Sequence, residues 1–342
     1  MKVHAGAMIA VAVATVAAVA VVGYNLQDAH GDTQQCRAHT LPVSLTPDRP
    51  ATAQVAVRYC EPRRWVGPRA VDVLTDGATY NRYWDWPAPH SYSVVDKILA
   101  DGRATVTYDR IGTGRSSRPP STDVTLSVDA WILEQILRWL GPKRYHRFAS
   151  WVHSYSAAVG IEQATTPGWT HVQQLIVTGF LHAPRNPAVA GRTYPANQDH
   201  PRWRGLDDGW LTTRAGTRGP SYHGPSASPA VLRADEERKD VISQTAFIGY
   251  VKQHTTSADQ NPAARVTASV VVAIGNQDTI FCAIFPCDDA AAVRLREAAY
   301  FRAAASLTVI VASGGHSLAL EPSATDTYHR ISDALTRPSD SQ

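Results

Sequence analysis

The chain has 342 residues, 44% hydrophobic and 18% charged, with a formal net charge of +3. That balance excludes a wholly disordered or fibrous chain and leaves room for one large domain with an insertion, or for two domains. Lysines and arginines are dispersed, so no basic stripe points to nucleic acid.

Residues 5–23, "AGAMIAVAVATVAAVAVVG", form an unbroken apolar run of 19 residues behind a single Lys2. The run lies between a long signal-peptide core and a short membrane span in length. Lys2 before it and Asp28 and Asp32 after it favour an inside N-terminus and an outside body. The segment therefore reads as an export signal, with Ala29 the best site for cleavage, or as a retained N-terminal membrane anchor. Either way the body is expected to be secreted or otherwise extracytoplasmic. Four cysteines agree with export. Proximity pairs Cys36 with Cys60 and Cys282 with Cys287, one of three possible connectivities. No metal is expected, because neither C-x-x-C nor H-x-x-x-H spacing occurs.

Beyond a polar spacer, "QVAVRYC" (54–60) predicts a strand, followed by "RAVDVLTDG" (69–77) and "ATVTYDRIGTG" (104–114). "SVDAWILEQILRWLG" (127–141) predicts an amphipathic helix, started by Ser127 or Asp129 and stopped by Gly141-Pro142. A strand over 147–153, a helix over 155–165 and a strand over 171–179 come next. The interval 182–265 is rich in proline, glycine and aromatic residues, with one helical pair near 228–239 and 240–254. Then follow a strand at 268–275, a helix at 288–305, a strand at 306–315 and a final helix at 323–336. Valine-, isoleucine- and alanine-rich strands alternating with helices predict an α/β fold with a mostly parallel central sheet and helices on both faces. The domain plan is a leader over 1–23, a core in two parts over 24–181 and 266–342, and a cap insertion over 182–265.

Serine-based acyl transfer needs a nucleophile, a histidine base with a carboxylate to orient it, and backbone N–H groups for the oxyanion. In open parallel sheets such groups gather beyond the carboxyl ends of strands. Ser154, in "RFASWVHSYSAAVG" (147–160), follows one predicted strand and opens a helix. Asp278 in "VVVAIGNQDTIF" and His316 in "VIVASGGHSLAL" follow two others. Three strand ends thus offer the three groups in the order Ser, Asp, His, which is far more specific than any one alone. "GTGRSS" (112–117) lacks the spacing of a phosphate cradle and reads as a turn. The aromatic run "YNRYWDWP" (80–87) suits ligand stacking and packing equally.

From about residue 50 to 337 the chain resembles the α/β-hydrolase fold superfamily, in particular secreted serine hydrolases of the actinobacterial kind. The resemblance is carried by "DVLTDGATYN" (72–81), "YDRIGTGRSSRP" (108–119), the Ser154 elbow, "GNQDTIF" (275–281) and "GGHSLAL" (314–320). It implies that Ser154 attacks, His316 moves the proton and Asp278 orients the imidazole. The N–H groups of Ala78 and Tyr155 would receive the oxyanion, and Asp76, Tyr80 and His153 are substrate-pocket candidates. Three residues depart from the pattern. Val152 and Ser156 stand where the elbow G-x-S-x-G has glycines, and Asp76 stands where histidine commonly precedes the oxyanion-loop glycine. The expected function is hydrolysis of a small, moderately hydrophobic carboxylic ester, lactone or amide without a cofactor. Acyl elimination or rearrangement in secondary metabolism, or binding on an inactive hydrolase scaffold, are the alternatives.

Overall fold

The computed structural model describes residues 35–141, 143–189 and 191–336. The leader expected over 1–23 lies outside the described residues. Among those described, no helix is long and apolar enough to cross a membrane.

The first part of the chain forms β1 (Gln35–Val43), β2 (Ala53–Glu61), β3 (Ala70–Thr75), α1 (Val94–Ala100), β4 (Ala104–Tyr108), α2 (Leu126–Leu140), β5 (Arg147–His153), α3 (Tyr155–Thr165) and β6 (Gln174–Thr178). Between β6 and the next strand of the main sheet lie β7 (Thr193–Pro195), β8 (Trp210–Thr213), α4 (Arg218–Tyr222), α5 (Pro229–Arg238), β9 (Ile242–Ser243) and α6 (Gln244–Thr255). The chain then resumes with β10 (Ser269–Gly275), α7 (Ala290–Ala298), β11 (Ser306–Ala312) and α8 (Ala324–Thr336).

The main sheet has eight strands in the order β1-β2-β4-β3-β5-β6-β10-β11. The first two pairings are antiparallel and the other five parallel. Alternation along the central strands feeds two cores. Val270, Val272 and Ile274 of β10 face a cluster built with α2 and α3, whereas Val271 and Ala273 face one built with α1 and α8. Strands buried on both faces explain the near-continuous apolar runs.

Several boundaries differ from the sequence reading. β1 falls in the supposed polar spacer, because an edge strand with one solvated face carries no apolar run. Cys36 stands opposite Cys60 in the β1–β2 register, and these two are disulfide-bonded, as are Cys282 and Cys287. The helix start expected at Ser127 or Asp129 lies at Thr125, whose side chain accepts from the Val128 N–H at 3.2 Å. Asp129 is instead buried and takes the Tyr155 hydroxyl at 2.6 Å. β3 ends at Thr75 and β4 at Tyr108, so Asp76-Gly77 and the "GTGRSS" turn are loops. The helix expected over 288–305 is confined to Ala290–Ala298. The stretch between β6 and β10 holds the three-stranded antiparallel sheet β7-β8-β9, and α6 packs on α2 and α3.

Candidate active site

Ser154 sits in the single residue between β5 and α3, with φ 55° and ψ −117°. A non-glycine residue there is strained by about 1–3 kcal/mol and needs its surroundings to hold it. Its N–H donates to the Thr178 carbonyl at 2.8 Å, and its carbonyl accepts from the Ala157 N–H at 2.9 Å. Neighbouring glycines supply the remaining room. A Cβ on Gly77 would lie 2.8 Å from His153 Cδ2 and 3.4 Å from Ser154 Cβ, so the loop after β3 rests directly on the elbow.

The two missing elbow glycines are compensated differently. A Cβ on Gly160 of α3 would come within 2.8 Å of Val152 Cγ1, so the close approach of strand and helix is kept by moving the glycine to the helix side. The Ser156 hydroxyl accepts from the His153 N–H at 2.8 Å and lies within donating distance of the Thr75 and His153 carbonyls, at 2.9 and 3.0 Å. It ties the first turn of α3 to β3.

The three strand-end residues meet. His316 Nε2 lies 2.8 Å from Ser154 Oγ, and His316 Nδ1 lies 2.8 Å from Asp278 Oδ2. The other oxygen of Asp278 accepts from the N–H groups of Ile280 and Phe281, at 2.7 and 3.2 Å. Both Asp278 and His316 are buried. With its Nδ1 proton directed at the carboxylate, the imidazole presents Nε2 as an acceptor for the serine proton.

Tyr155 is the first residue of α3, so its N–H has no carbonyl partner one turn back in the helix. Ala78 and Ser154 line one cavity of ≈ 250 Å³. Buried Arg110 donates through Nη2 to the Gly77 carbonyl at 3.1 Å, the far end of the peptide whose N–H belongs to Ala78. The same guanidinium lies 3.5 Å from Asp129 and 5.1 Å over the Tyr155 ring. One cluster thereby holds the Gly77–Ala78 peptide and the Tyr155 side chain, beside both N–H groups named as oxyanion donors.

The three pocket candidates take other places. None of Asp76, Tyr80 and His153 lines the cavity that contains Ser154. His153 alternates to the opposite sheet face from Val152 and stacks on Tyr83 at 4.2 Å. Its Nδ1 meets Thr178 Oγ1 at 3.0 Å, and burial, then His316, push its pKa well below the usual range, so the ring is neutral. Tyr80 is buried and its hydroxyl meets Ser317 Oγ at 2.6 Å. Asp76 accepts from the Tyr83 N–H at 3.1 Å and lines a separate cavity with Arg58 and Asp109. Burial pushes its carboxyl up to about 7 against the pull of Arg110. The aromatic run 80–87 packs, with Tyr83, Trp84 and Trp86 buried.

Apart from Ser154 and Ala78, the residues that wall the cavity were missed in the sequence. They come mostly from the insertion, among them Arg185, Arg192, Tyr222, Phe247 and Tyr250. No motif marks them, since loops and helix faces far apart in the chain supply them.

A family model described as "Alpha/beta hydrolase family" matches residues 77–326. No curated protein matches the chain. Among solved structures, a lipase in its open form shares 14% identity at a TM-score of 0.61, covering 89% of this chain and 100% of its own. An esterase from Exiguobacterium antarcticum shares 14% at 0.58, covering 83% and 96%. A thermophilic esterase from Thermogutta terrifontis, with malate bound, shares 16% at 0.56, covering 87% and 96%. At these identities the likeness is one of fold.

Proposed function

Since the chain belongs to the alpha/beta hydrolase family, we propose that it hydrolyses carboxylic esters through an acyl-enzyme on Ser154. The observation that carries this reading is the unbroken hydrogen-bonded line from Ser154 Oγ through His316 to Asp278. In the first half-reaction Ser154 Oγ attacks the ester carbonyl carbon as His316 Nε2 takes the hydroxyl proton. The oxyanion is received by the N–H groups of Ala78 and Tyr155, and Asp278 stabilises the imidazolium. The carbon–oxygen bond to the alcohol then breaks, and Nε2 returns the proton to the departing oxygen. Water repeats the cycle in the second half, releasing the acid and restoring Ser154.

The insertion over 182–265 acts in this reading as a cap, since it contributes most of the cavity wall beside Ser154. Its aromatic lining suits a partly apolar substrate. Two disulfides support an extracytoplasmic site of action. Turnover of short p-nitrophenyl esters and labelling by a fluorophosphonate probe test the reading together. The Ser154→Ala protein is expected to lose roughly 10⁶-fold in kcat and all labelling. Hydrolysis at the parental rate, or a label on another residue, overturns it.

A further inference from the structure

The cavity beside Ser154 carries a charge that ester cleavage itself does not use. The charged side chains on its wall are Arg185 and Arg192, and no carboxylate shares that wall. Among the described residues neither forms an ion pair, whereas Arg58, Arg103, Arg110 and Arg218 each do. Both are half-buried. A partly desolvated guanidinium without a counter-ion is costly until an anion reaches it.

Both arginines are also held in place. The Arg185 guanidinium lies 5.1 Å over Phe247 and 5.6 Å over Tyr250 and hydrogen-bonds the Tyr250 side chain, a neutral partner that leaves its charge without a counter-ion. The neighbouring Asn186 donates its backbone N–H to the Ile280 carbonyl and its side-chain amide to Thr279, at 2.8 and 2.9 Å. The loop that bears Asp278 therefore anchors Arg185. Arg192 donates to the Ser221 hydroxyl, and the Ser221 carbonyl accepts from Thr279 Oγ1 at 3.0 Å, which ties the second arginine to the same loop. The positive field of Arg185 reaches further still: burial first and this arginine second bring His254 down to about 4.

We propose that the natural substrate is a small ester bearing a carboxylate, and that Arg185 and Arg192 bind this anion while Ser154 meets the ester carbonyl. The proposal rests on the ester-hydrolase reading above and narrows its substrate class. The volume of ≈ 250 Å³ lies just below the roughly 300–1,000 Å³ of drug-sized ligand sites. It fits a short half-ester of a dicarboxylic acid, or a short acyl ester of a hydroxy acid, better than a long acyl chain.

Two matched pairs test the proposal on intact protein, read as acid released at constant pH. Monoethyl glutarate against ethyl valerate places the charge on the acyl side, and 3-acetoxypropionate against propyl acetate places it on the alcohol side. In at least one pair kcat/KM is expected to favour the anion roughly 10- to 100-fold, the range of a charge-assisted contact. The ratio is expected to shrink in molar salt, where the screening length falls to about 3 Å, and to approach one in Arg185→Gln and Arg192→Gln proteins. Equal or inverse preference in both pairs at low salt overturns the proposal, as does a ratio that survives the double substitution. Calorimetric binding of glutarate separates the two layers because it needs no turnover. Arginine-dependent glutarate binding without Ser154 labelling would retain the anion site and discard the esterase reading. Ester hydrolysis with no charge preference would do the reverse.

Discussion

Asp76 stands at the foot of the proposed oxyanion loop, and its protonation sets a signed prediction for stability. In the unfolded chain its carboxyl titrates near 3.8, whereas burial in the fold pushes it up to about 7. Between those values the unfolded chain has released the proton and the folded chain retains it. Unfolding then releases a proton, so this residue lowers stability progressively as pH rises from about 4 to about 7. Its stabilising contribution is complete below the unfolded value and lost above the folded one. A shift of about three pH units at about 1.4 kcal/mol each corresponds to about 4 kcal/mol. Asp76→Asn removes the titration while keeping an oxygen for the Tyr83 N–H, which the aspartate now accepts at 3.1 Å. Urea unfolding of both proteins, from about pH 4 to about pH 8, gives a difference in which shared groups cancel. The variant is expected to gain on the parent as pH rises, by up to about 4 kcal/mol at the alkaline end. A difference that is flat across the range, or falls with pH, would refute the buried, proton-retaining carboxyl inferred here.

Two further substitutions examine the elbow. Gly160→Ala is expected to destabilise by roughly 1–3 kcal/mol through overpacking on Val152, although alanine is intrinsically better in a helix by about 1 kcal/mol. Val152→Ala in the same protein should recover most of that loss, and strictly additive unfolding free energies would argue against the exchange of bulk between strand and helix. Arg110→Lys keeps the charge but loses the fork that spans the Gly77 carbonyl and Asp129. It is expected to lower kcat for p-nitrophenyl acetate roughly 10- to 100-fold with little change in KM, the pattern of a misplaced transition-state donor. An unchanged kcat in a folded Arg110→Lys protein would remove the positioning role.

What the sequence exposed, and what it concealed, follows from the range of each interaction. β5, β6 and β10 were legible because strands covered on both faces must be apolar along their whole length, and β11, an edge strand of mostly half-buried residues, still carries an apolar run. Ser154, Asp278 and His316 were legible because they come just after such strands, where chain order alone places them at one rim. β1 was hidden by its edge position, and α1 by its brevity. Asp76, Tyr80 and His153 sit beside the elbow in the chain, yet strand alternation and loop packing turn them away from the cavity. The arginines beside Ser154 were invisible for the opposite reason: residues 185 and 192 reach the site through tertiary anchoring on residues 221 and 279–280. Adjacency in sequence thus overstated three residues and concealed two.

The anchoring of the insertion also bears on how the site opens. Asp235 of α5 takes both forks of Arg218, at 2.8 and 3.0 Å, and His223 Nε2 at 3.0 Å. Burial alone would raise its carboxyl, but Arg218 and His223 hold it below the usual range. Next to this cluster, Glu321 Oε1 accepts from the N–H groups of Gly224 and Gly315, at 2.8 and 3.2 Å, and the Ser317 N–H donates to the Tyr222 carbonyl at 2.8 Å. The loop carrying His316 is therefore built against residues 222–224 of the insertion. A Cβ on Gly315 would lie 2.4 Å from the His223 carbonyl carbon, which leaves no gap for sliding. Swinging this part of the insertion outward would carry Arg218, His223 and Asp235 together, but it would break the Arg218 bond to Thr79 Oγ1 at 2.9 Å and the Glu321–Gly224 and Ser317–Tyr222 bonds, and so strip the imidazole loop of its support. We therefore expect substrate to reach Ser154 past wall residues outside this anchored part, among them the half-buried Arg185, Val189 and Arg192, whose two guanidinium groups share the cavity with the serine.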